Sequence, residues 1–383
     1  MSVIAKPSPT VQQPGGIVLP GYGRSTLADL LPSIAAHLLP DAGTTDVLGL
    51  PRAERYVLVM VDGLGRELLE RNRQRAPFLA QLLHGSPELT SAVPSTTATS
   101  LTTLGTGLPP GEHGIVGYSF RALGEVINAL LWDDRLDPVA FQPHPTWFEI
   151  FAAAGIASTT VSLATFANSG LTLAGLRGGH FVGLDDETDA DTRISRVVEA
   201  SRRADRSFVY AYERRLDHVG HGSGCESSLW RDTLDTIDAW IEQLRASLDP
   251  GTRLLVTGDH GMLDVPSHHH IMLEDTPGLS SGVDLVGGEG RFRQLYTDRP
   301  ADVAAQWAKR LGERAIVRRR EEAVEQGWFG PLDEPVVNRI GDVLVAMRGD
   351  WSVMTWQRPG ELSLVGQHAS LSAVEMRVPL LIA

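Results

Sequence analysis

The chain has 383 residues, 42% of them apolar, with 34 Lys and Arg against 47 Asp and Glu for a formal net charge of −13. This is the composition of an ordinary globular protein, and without a basic block it excludes the phosphate-tracking surface of a stable nucleic-acid binder. No stretch approaches the roughly 18 apolar residues of a membrane span, the opening "MSVIAKPSPTVQQPGG" has no run of signal-peptide length, and Cys225 is the only cysteine, so a soluble, cytoplasmic protein without disulfides or a membrane partner is expected.

Residues 1–20, rich in Pro, Gly and Gln, read as a flexible lead-in to one catalytic domain over 21–383. "LADLLPSIAAHLL" has helical spacing. "RYVLVMVDGLG" is a continuous apolar run closed by Asp and Gly, the pattern of a strand covered on both faces, and "RELLERNRQRAPFLAQLLHG" supplies helices after it. The unit recurs: "TWFEIFAAAG" before "IASTTVSL", "TRISRVVEASRRA" before "SFVYAY", and "LWRDTLDTIDAWIEQLRASL" before "RLLVTGDHG". Helix and strand alternating at this spacing predict an α/β fold, a mainly parallel central sheet with helices on both faces. From about 265 to 345 the rhythm loosens into a smaller αβ insertion, and "VPLLIA" reads as a last strand.

Ligands of open α/β sheets gather beyond the carboxyl ends of the strands. Three apolar strands lead to acidic residues at that edge: "YVLVMVD" to Asp62, "SFVYAYERRLDHVGH" to Asp217 and His221, and "LLVTGDH" to Asp259 and His260. A single Asp after a strand is usually a turn former or helix cap. Three on one edge, two with a His close by, point instead to ligands. Left alone the carboxylates would repel and at least one would have its pKa raised, which a divalent cation relieves. Oxygen and imidazole donors without thiolates suit zinc, or manganese. Asp217 and His221, four residues apart, share a face of a helix, and His368 in "VGQHASL" is a further candidate.

"VPSTTATSLTTLGTG" places eight hydroxyls in the fifteen residues from Val93 to Gly107. Charge suggests a use for one of them. Three carboxylates and one alkoxide balance two divalent cations, so the cations can stabilise an attacking oxygen that a free threonine does not supply at neutral pH. Residue chemistry alone does not choose among Thr96, Thr97 and Thr99. The segment after Thr97 reads as a helix whose first amides face an anion, with Ser95 or Thr96 as its cap.

The blocks "VDGLG", "PSTTATSLTTLGTGLPPGEHGIVGY", "LDHVGH", "GDHGM" and "GQH", spread from Tyr56 to His368, stand in the order found in the nucleotide pyrophosphatase/phosphodiesterase family of the alkaline phosphatase superfamily, which this sequence resembles. The resemblance implies Thr97 as nucleophile and two zinc ions, one held by Asp62, Asp259, His260 and the Thr97 oxygen, the other by Asp217, His221 and His368. It implies hydrolysis of a small phosphate ester or nucleotide, at a phosphodiester or pyrophosphate bond, through a covalent intermediate on Thr97. A phosphomonoesterase, a phosphonate hydrolase and a non-catalytic protein stabilised by metal are the alternatives.

Two departures from the family pattern bear on the substrate. Tyr118 stands where relatives have an Asn that donates to the phosphoryl oxygen, and Ala98 stands where nucleotide-cleaving relatives often have a stacking aromatic. The second aromatic of that clamp is present as Tyr212, so Tyr118 and Tyr212 are the expected substrate contacts, with Phe166 and Asn168 near them by position. The tract His268–His270 reads as solvated rather than ligating, and Cys225 as a small unreactive residue.

Overall fold

The computed structural model describes residues 12, 13 and 16–383. Most of the expected lead-in, residues 1–11, 14 and 15, lies outside the described residues, but its last part belongs to the body. Ile17, Val18 and Leu19 are buried, and the Val18 amide donates to the Leu371 carbonyl at 2.9 Å.

The first helix, α1 (Leu30–Leu38), covers one face of strand β1 (Arg55–Val61), and α2 (Arg66–Arg71) and α3 (Pro77–Leu83) cover the other. The split is visible in β1 itself. Val57, Val59 and Val61 pack with Leu68, Leu69 and Leu79, whereas Tyr56, Leu58 and Met60 pack with Leu30 and Ile34. Alternate side chains of one strand thus enter two separate cores, as the uninterrupted apolar run requires. A short strand β2 (Glu88–Thr90) leads to α4 (Thr97–Thr106).

Helix α5 (Trp147–Ala153) runs into β3 (Ala157–Leu163), and α6 (Gly170–Gly175) into β4 (His180–Leu184). Then come α7 (Ala190–Ser201), β5 (Ser207–Glu213), α8 (Arg215–Ser223), α9 (Ser228–Ser247) and β6 (Thr252–Thr257). The insertion supplies β7 (Leu285–Glu289), β8 (Phe292–Tyr296), α10 (Pro300–Leu311), β9 (Ala315–Arg319) and β10 (Val343–Met347), and the described chain closes on β11 (Arg377–Ile382).

Among the described residues the central sheet has seven strands in the order β2-β11-β6-β1-β5-β3-β4. The run from β6 to β4 is parallel, and β11 and β2 pair antiparallel at one edge. The insertion is a four-stranded antiparallel sheet, β7-β8-β10-β9, onto which α10 packs Val303, Trp307 and Leu311. No helix of the described residues is long and apolar enough to cross a membrane.

A buried ion pair ties insertion to body. Arg291, in the turn between β7 and β8, is fully buried and donates through Nε and a terminal nitrogen to both oxygens of Glu375, at 2.7 and 2.8 Å. Glu375 also accepts the Ser370 amide at 3.0 Å, two residues beyond His368. Removing one partner of such a pair strands the other charge, at a cost of about 3–5 kcal/mol. Glu375→Ala is therefore expected to lose about that much stability in urea unfolding, and Arg291→Met with Glu375→Leu to recover much of it.

Candidate active site

Strands β6, β1 and β5 are neighbours and end together. Asp62 follows β1, Asp259 and His260 follow β6, and α8 begins just after β5 with Asp217 in its first turn and His221 one turn on. The loops meet closely. Gly63 has φ of +76°, and a Cβ there would lie 3.1 Å from the Cα and Cβ of Asp217, so only glycine fits both the conformation and the space. The Gly63 and His260 amides donate to Asp259 Oδ1 at 3.0 and 2.9 Å. Asp259 is thereby fixed by one oxygen, and its Oδ2 is buried without a partner.

Three imidazoles converge here with a common tautomer. His221 Nδ1 lies 2.8 Å from the Gly366 carbonyl, His260 Nδ1 2.9 Å from that of Gly261, and His368 Nδ1 2.9 Å from that of Ser95. A carbonyl only accepts, so each Nδ1 carries the proton and each Nε2 presents its lone pair. Burial, then the neighbouring His260 and His221, holds His368 well below the ordinary imidazole range, which keeps it neutral.

The Nε2 atoms face one another and the carboxylates. His368 Nε2 is 3.2 Å from His221 Nε2 and 3.8 Å from Asp217 Oδ1, itself buried and unpartnered. His260 Nε2 is 3.4 Å from Asp62 Oδ1 and 3.4 Å from Asp259 Oδ2. Asp217, His221 and His368 form one set with ligand atoms within 4.8 Å of one another, and Asp62, Asp217 and His260 form a second. Electron-rich atoms this close, with orphaned carboxylate oxygens among them, fit divalent cations. Burial, followed by the charges of Asp259 and Asp217, raises Asp62 well above the usual carboxylate range, against the opposing hydrogen bond from Tyr212.

Thr97 is the first residue of α4. Its Oγ1 lies 3.2 Å from His260 Nε2 and 3.5 Å from Asp62 Oδ1, while Thr99 Oγ1 is buried without a partner and the Thr96 hydroxyl engages Glu289. Of the three threonines, Thr97 is the one whose hydroxyl faces His260 and Asp62. The expected cap is not made. Thr96 occupies the cap position without a side-chain capping bond, and Ser95 Oγ donates to the Ser370 carbonyl at 2.7 Å instead. Both hydroxyls serve contacts with other segments, which leaves the first amides of α4 for an anion.

A cavity of about 780 Å³ opens beside Thr97. Tyr118 and Tyr212 both line it, as does Phe166, whose ring centroid is 6.2 Å from that of Tyr212. The Tyr212 hydroxyl donates to Asp62 Oδ2, a contact that the clamp analogy did not foresee. Tyr118 engages Asn128 through its hydroxyl, and burial raises its pKa. Asn168 is not among the lining residues. His269 sits apart, 2.9 Å from Asp350 and stacked on Trp351. Burial pushes the Cys225 thiol up, which makes it a poor nucleophile.

Sequence reasoning missed Glu289 and Arg358, which also line the cavity. Burial raises Glu289 to about 8, and Arg358 donates to Ser119 Oγ and the Gly288 carbonyl, each at 2.7 Å. The Gly-rich "VGGEG" around Glu289 was the available signal of close backbone approach.

A parallel α/β sheet with carboxylates and imidazoles at its carboxyl edge, and a threonine at a helix start among them, is the alkaline-phosphatase type of architecture. Residues 56–371 match the model of the family described as Type I phosphodiesterase / nucleotide pyrophosphatase, and the chain belongs to that family. It is 25% identical over 230 residues to GPI ethanolamine phosphate transferase 3 of Schizosaccharomyces pombe, covering 56% of this chain and 23% of that one. It is 29% identical over 151 residues to the catalytic subunit of human GPI ethanolamine phosphate transferase 2, covering 35% and 15%. The chain thus spans under a quarter of the length of these two relatives. An uncharacterised pyrophosphatase/phosphodiesterase of S. pombe is 23% identical over 243 residues, covering 59% of this chain and 48% of its own. Among solved structures, murine ectonucleotide pyrophosphatase / phosphodiesterase 5 superposes with a TM-score of 0.68 at 17% identity, covering 85% of this chain and 87% of that one. Its inactive threonine-to-alanine variant in complex with AMP gives 0.66 with the same coverage.

The perturbed groups set a sign for pH dependence. In the metal-free protein the raised Asp62 keeps a proton that the unfolded chain releases near the ordinary carboxylate value of 3.8, so stability falls as pH rises above that value. The lowered His368 works oppositely, since below the ordinary imidazole value of 6.5 the unfolded chain takes up a proton that the folded one does not, and stability falls with acidification. A divalent cation needs the carboxylate ionised and the imidazole neutral. The rise in melting temperature on adding zinc is expected to grow steadily from pH 5 to pH 8 in calorimetric scans.

Proposed function

We propose that the chain is a metal-dependent phosphodiesterase that hydrolyses a small phosphodiester or pyrophosphate in two steps through Thr97. The observation that carries the reading is the approach of Thr97 Oγ1 to His260 and Asp62 within the convergent donor set. Asp62, Asp259, His260 and the Thr97 oxygen would hold one ion, and Asp217, His221 and His368 the other; zinc suits these donors best. When bound, the ions supply Lewis acidity, favouring ionised oxygen on the attacking group and stabilising charge on the departing one.

As Thr97 Oγ bonds to phosphorus, its proton passes by way of solvent to the leaving oxygen, whose bond to phosphorus breaks, giving a threonyl phosphodiester. Water then attacks the same phosphorus, and Thr97 Oγ departs with its proton restored. The open amides of α4 hold the equatorial oxygens. Tyr212 orients Asp62 through its hydroxyl, and Tyr118, from the cavity wall, donates to the phosphoryl group in place of an amide side chain. A diester is favoured over a monoester or a phosphonate because its second arm needs room beside the nucleophile, and the 780 Å³ cavity supplies it.

Thr97→Ala is expected to lower kcat toward a p-nitrophenyl diester by about 10⁴-fold or more, as loss of a nucleophile does. Acid quenching during turnover should trap the substituted Thr97 for mass spectrometry. Unchanged turnover by Thr97→Ala, or a strong preference for the matched monoester, would end this reading.

A further inference from the structure

We propose that Ser100 and Ser91 are positioning residues for the reaction at Thr97, a relay of two hydroxyls that fixes the start of α4 against the turn carrying Asp259 and His260. The role rests on the phosphodiesterase reading, whereas the relay is a feature of the packing. Several hydroxyls of the run from Val93 to Gly107 bond within their own neighbourhood. Thr102 and Thr106 donate to carbonyls of α4 itself, at 2.8 and 2.7 Å, and Thr103 meets His113 at 2.9 Å. Ser100 differs. Its Oγ lies 2.9 Å from Ser91 Oγ, which in turn lies 2.6 Å from the Asp259 carbonyl oxygen. A carbonyl only accepts and a hydroxyl carries one proton. The Ser91 proton is therefore committed to Asp259, and Ser100 donates to Ser91.

Thr97 and Ser100 stand three residues apart, so their hydroxyls leave α4 on one face. Thr97 Oγ1 meets His260 Nε2 at 3.2 Å, and Ser100, through Ser91, meets the carbonyl of the residue before that histidine. Two contacts on one face fix the roll of the helix as well as its height. A misplacement of about 1 Å at a reacting atom can cost about 100-fold in rate, and a roll of α4 would shift Thr97 on that scale.

The relay has a fixed base. Ser91 follows β2, and its amide donates to the Met376 carbonyl at 2.7 Å, just ahead of β11. It thus reaches Asp259 across the end of β11, which lies between β2 and β6 in the sheet. The Asp259 side chain is held separately, by the Gly63 and His260 amides, so main chain and side chain are both tied while Oδ2 stays open. Ser91, Ser100 and Asp259 are fully buried. Solvent does not compete for these bonds, and the low local dielectric strengthens them.

The test compares Ser100→Ala, Ser91→Ala and the double variant. Partners that orient metal ligands typically contribute about 10- to 100-fold in activity or metal affinity. Ser100→Ala is expected to lower kcat toward the p-nitrophenyl diester by about 10-fold with KM within about twofold of wild type, since no substrate contact is lost. The Thr97 oxygen and Asp259 belong to one proposed donor set, so zinc binding to the metal-free protein, titrated against a competing chelator, should weaken by about 10-fold as well. Ser91→Ala should do the same. The double variant should lose no more than Ser91→Ala alone, because Ser100 acts only through Ser91. Thr102→Val removes an equally buried hydroxyl of α4 that bonds only within the helix, and it should change melting temperature alone. Losses that multiply in the double variant overturn the proposal, as do alanine variants that change melting temperature but neither kcat nor zinc affinity. Should Ser91→Ala not fold, Ser100→Ala decides by the same two readouts. Absence of diester turnover in the wild type would sink the phosphodiesterase reading, and zinc affinity would still judge the relay.

Discussion

The fold is organised around a concentration of like charge that cannot exist unaided. Asp62 and Asp217 bring ligand oxygens within 4.8 Å of each other and of His260 Nε2, and Asp259 stands within 3.4 Å of the same nitrogen. At an effective dielectric constant near 20, two carboxylates at that separation repel by about 3–4 kcal/mol. Total stability is typically only about 5–15 kcal/mol. Protonation can relieve one such repulsion, as the raised Asp62 indicates, but it cannot satisfy the facing lone pairs of His221 and His368. Cations satisfy both at once.

What holds the donors in place is mostly main chain. Three carbonyls, of Gly366, Gly261 and Ser95, set the three imidazoles, and two amides set Asp259. Gly261 can serve because nothing larger fits: a Cβ there would lie 1.9 Å from the Val374 carbonyl oxygen. The Ser95 carbonyl orients His368 while Ser95 Oγ reaches Ser370, so the segment before Thr97 and the segment carrying His368 are positioned by each other. Arg291 and Glu375 extend this coupling into the insertion. Donors separated by some 300 residues therefore share one rigid frame.

The parallel sheet was legible because its strands announce themselves. β1 and β6 are apolar on both faces and end in Asp within one residue or two, and amphipathic helices such as α7 and α9 separate them. The gathering of carboxylates and imidazoles at one edge followed from the fold rule together with residue chemistry, but singling out Thr97 from its neighbours took a family pattern, since residue chemistry does not distinguish it. Contacts between distant segments were not legible. Glu289 and Arg291 look like surface charges in a Gly-rich turn, and only their tertiary partners bury them. The tail of the lead-in misled for a similar reason, since "GGIVLP" is short and flanked by Pro and Gly, yet Val18 finds a backbone partner at Leu371.

The same strand rule that located the chemistry also locates its exception. β3 sits between β5 and β4, inside the parallel run, where both faces should be filled by branched apolar side chains. Its hydroxyl residues do not repay burial through hydrogen bonds, since Ser158, Thr159 and Thr160 all have unpartnered oxygens. Each unpartnered hydroxyl costs about 1–3 kcal/mol, so the fold tolerates a local loss of stability at a strand with no part in metal binding. Small size is what those residues share with Ser162, and where Thr160 and Ser162 face α4 its consequence is the space between them. The carboxyl edge is constrained by charge, whereas the space beside it is constrained only by volume. Residues of β3 or α6 can therefore change without disturbing the donors at the carboxyl edge.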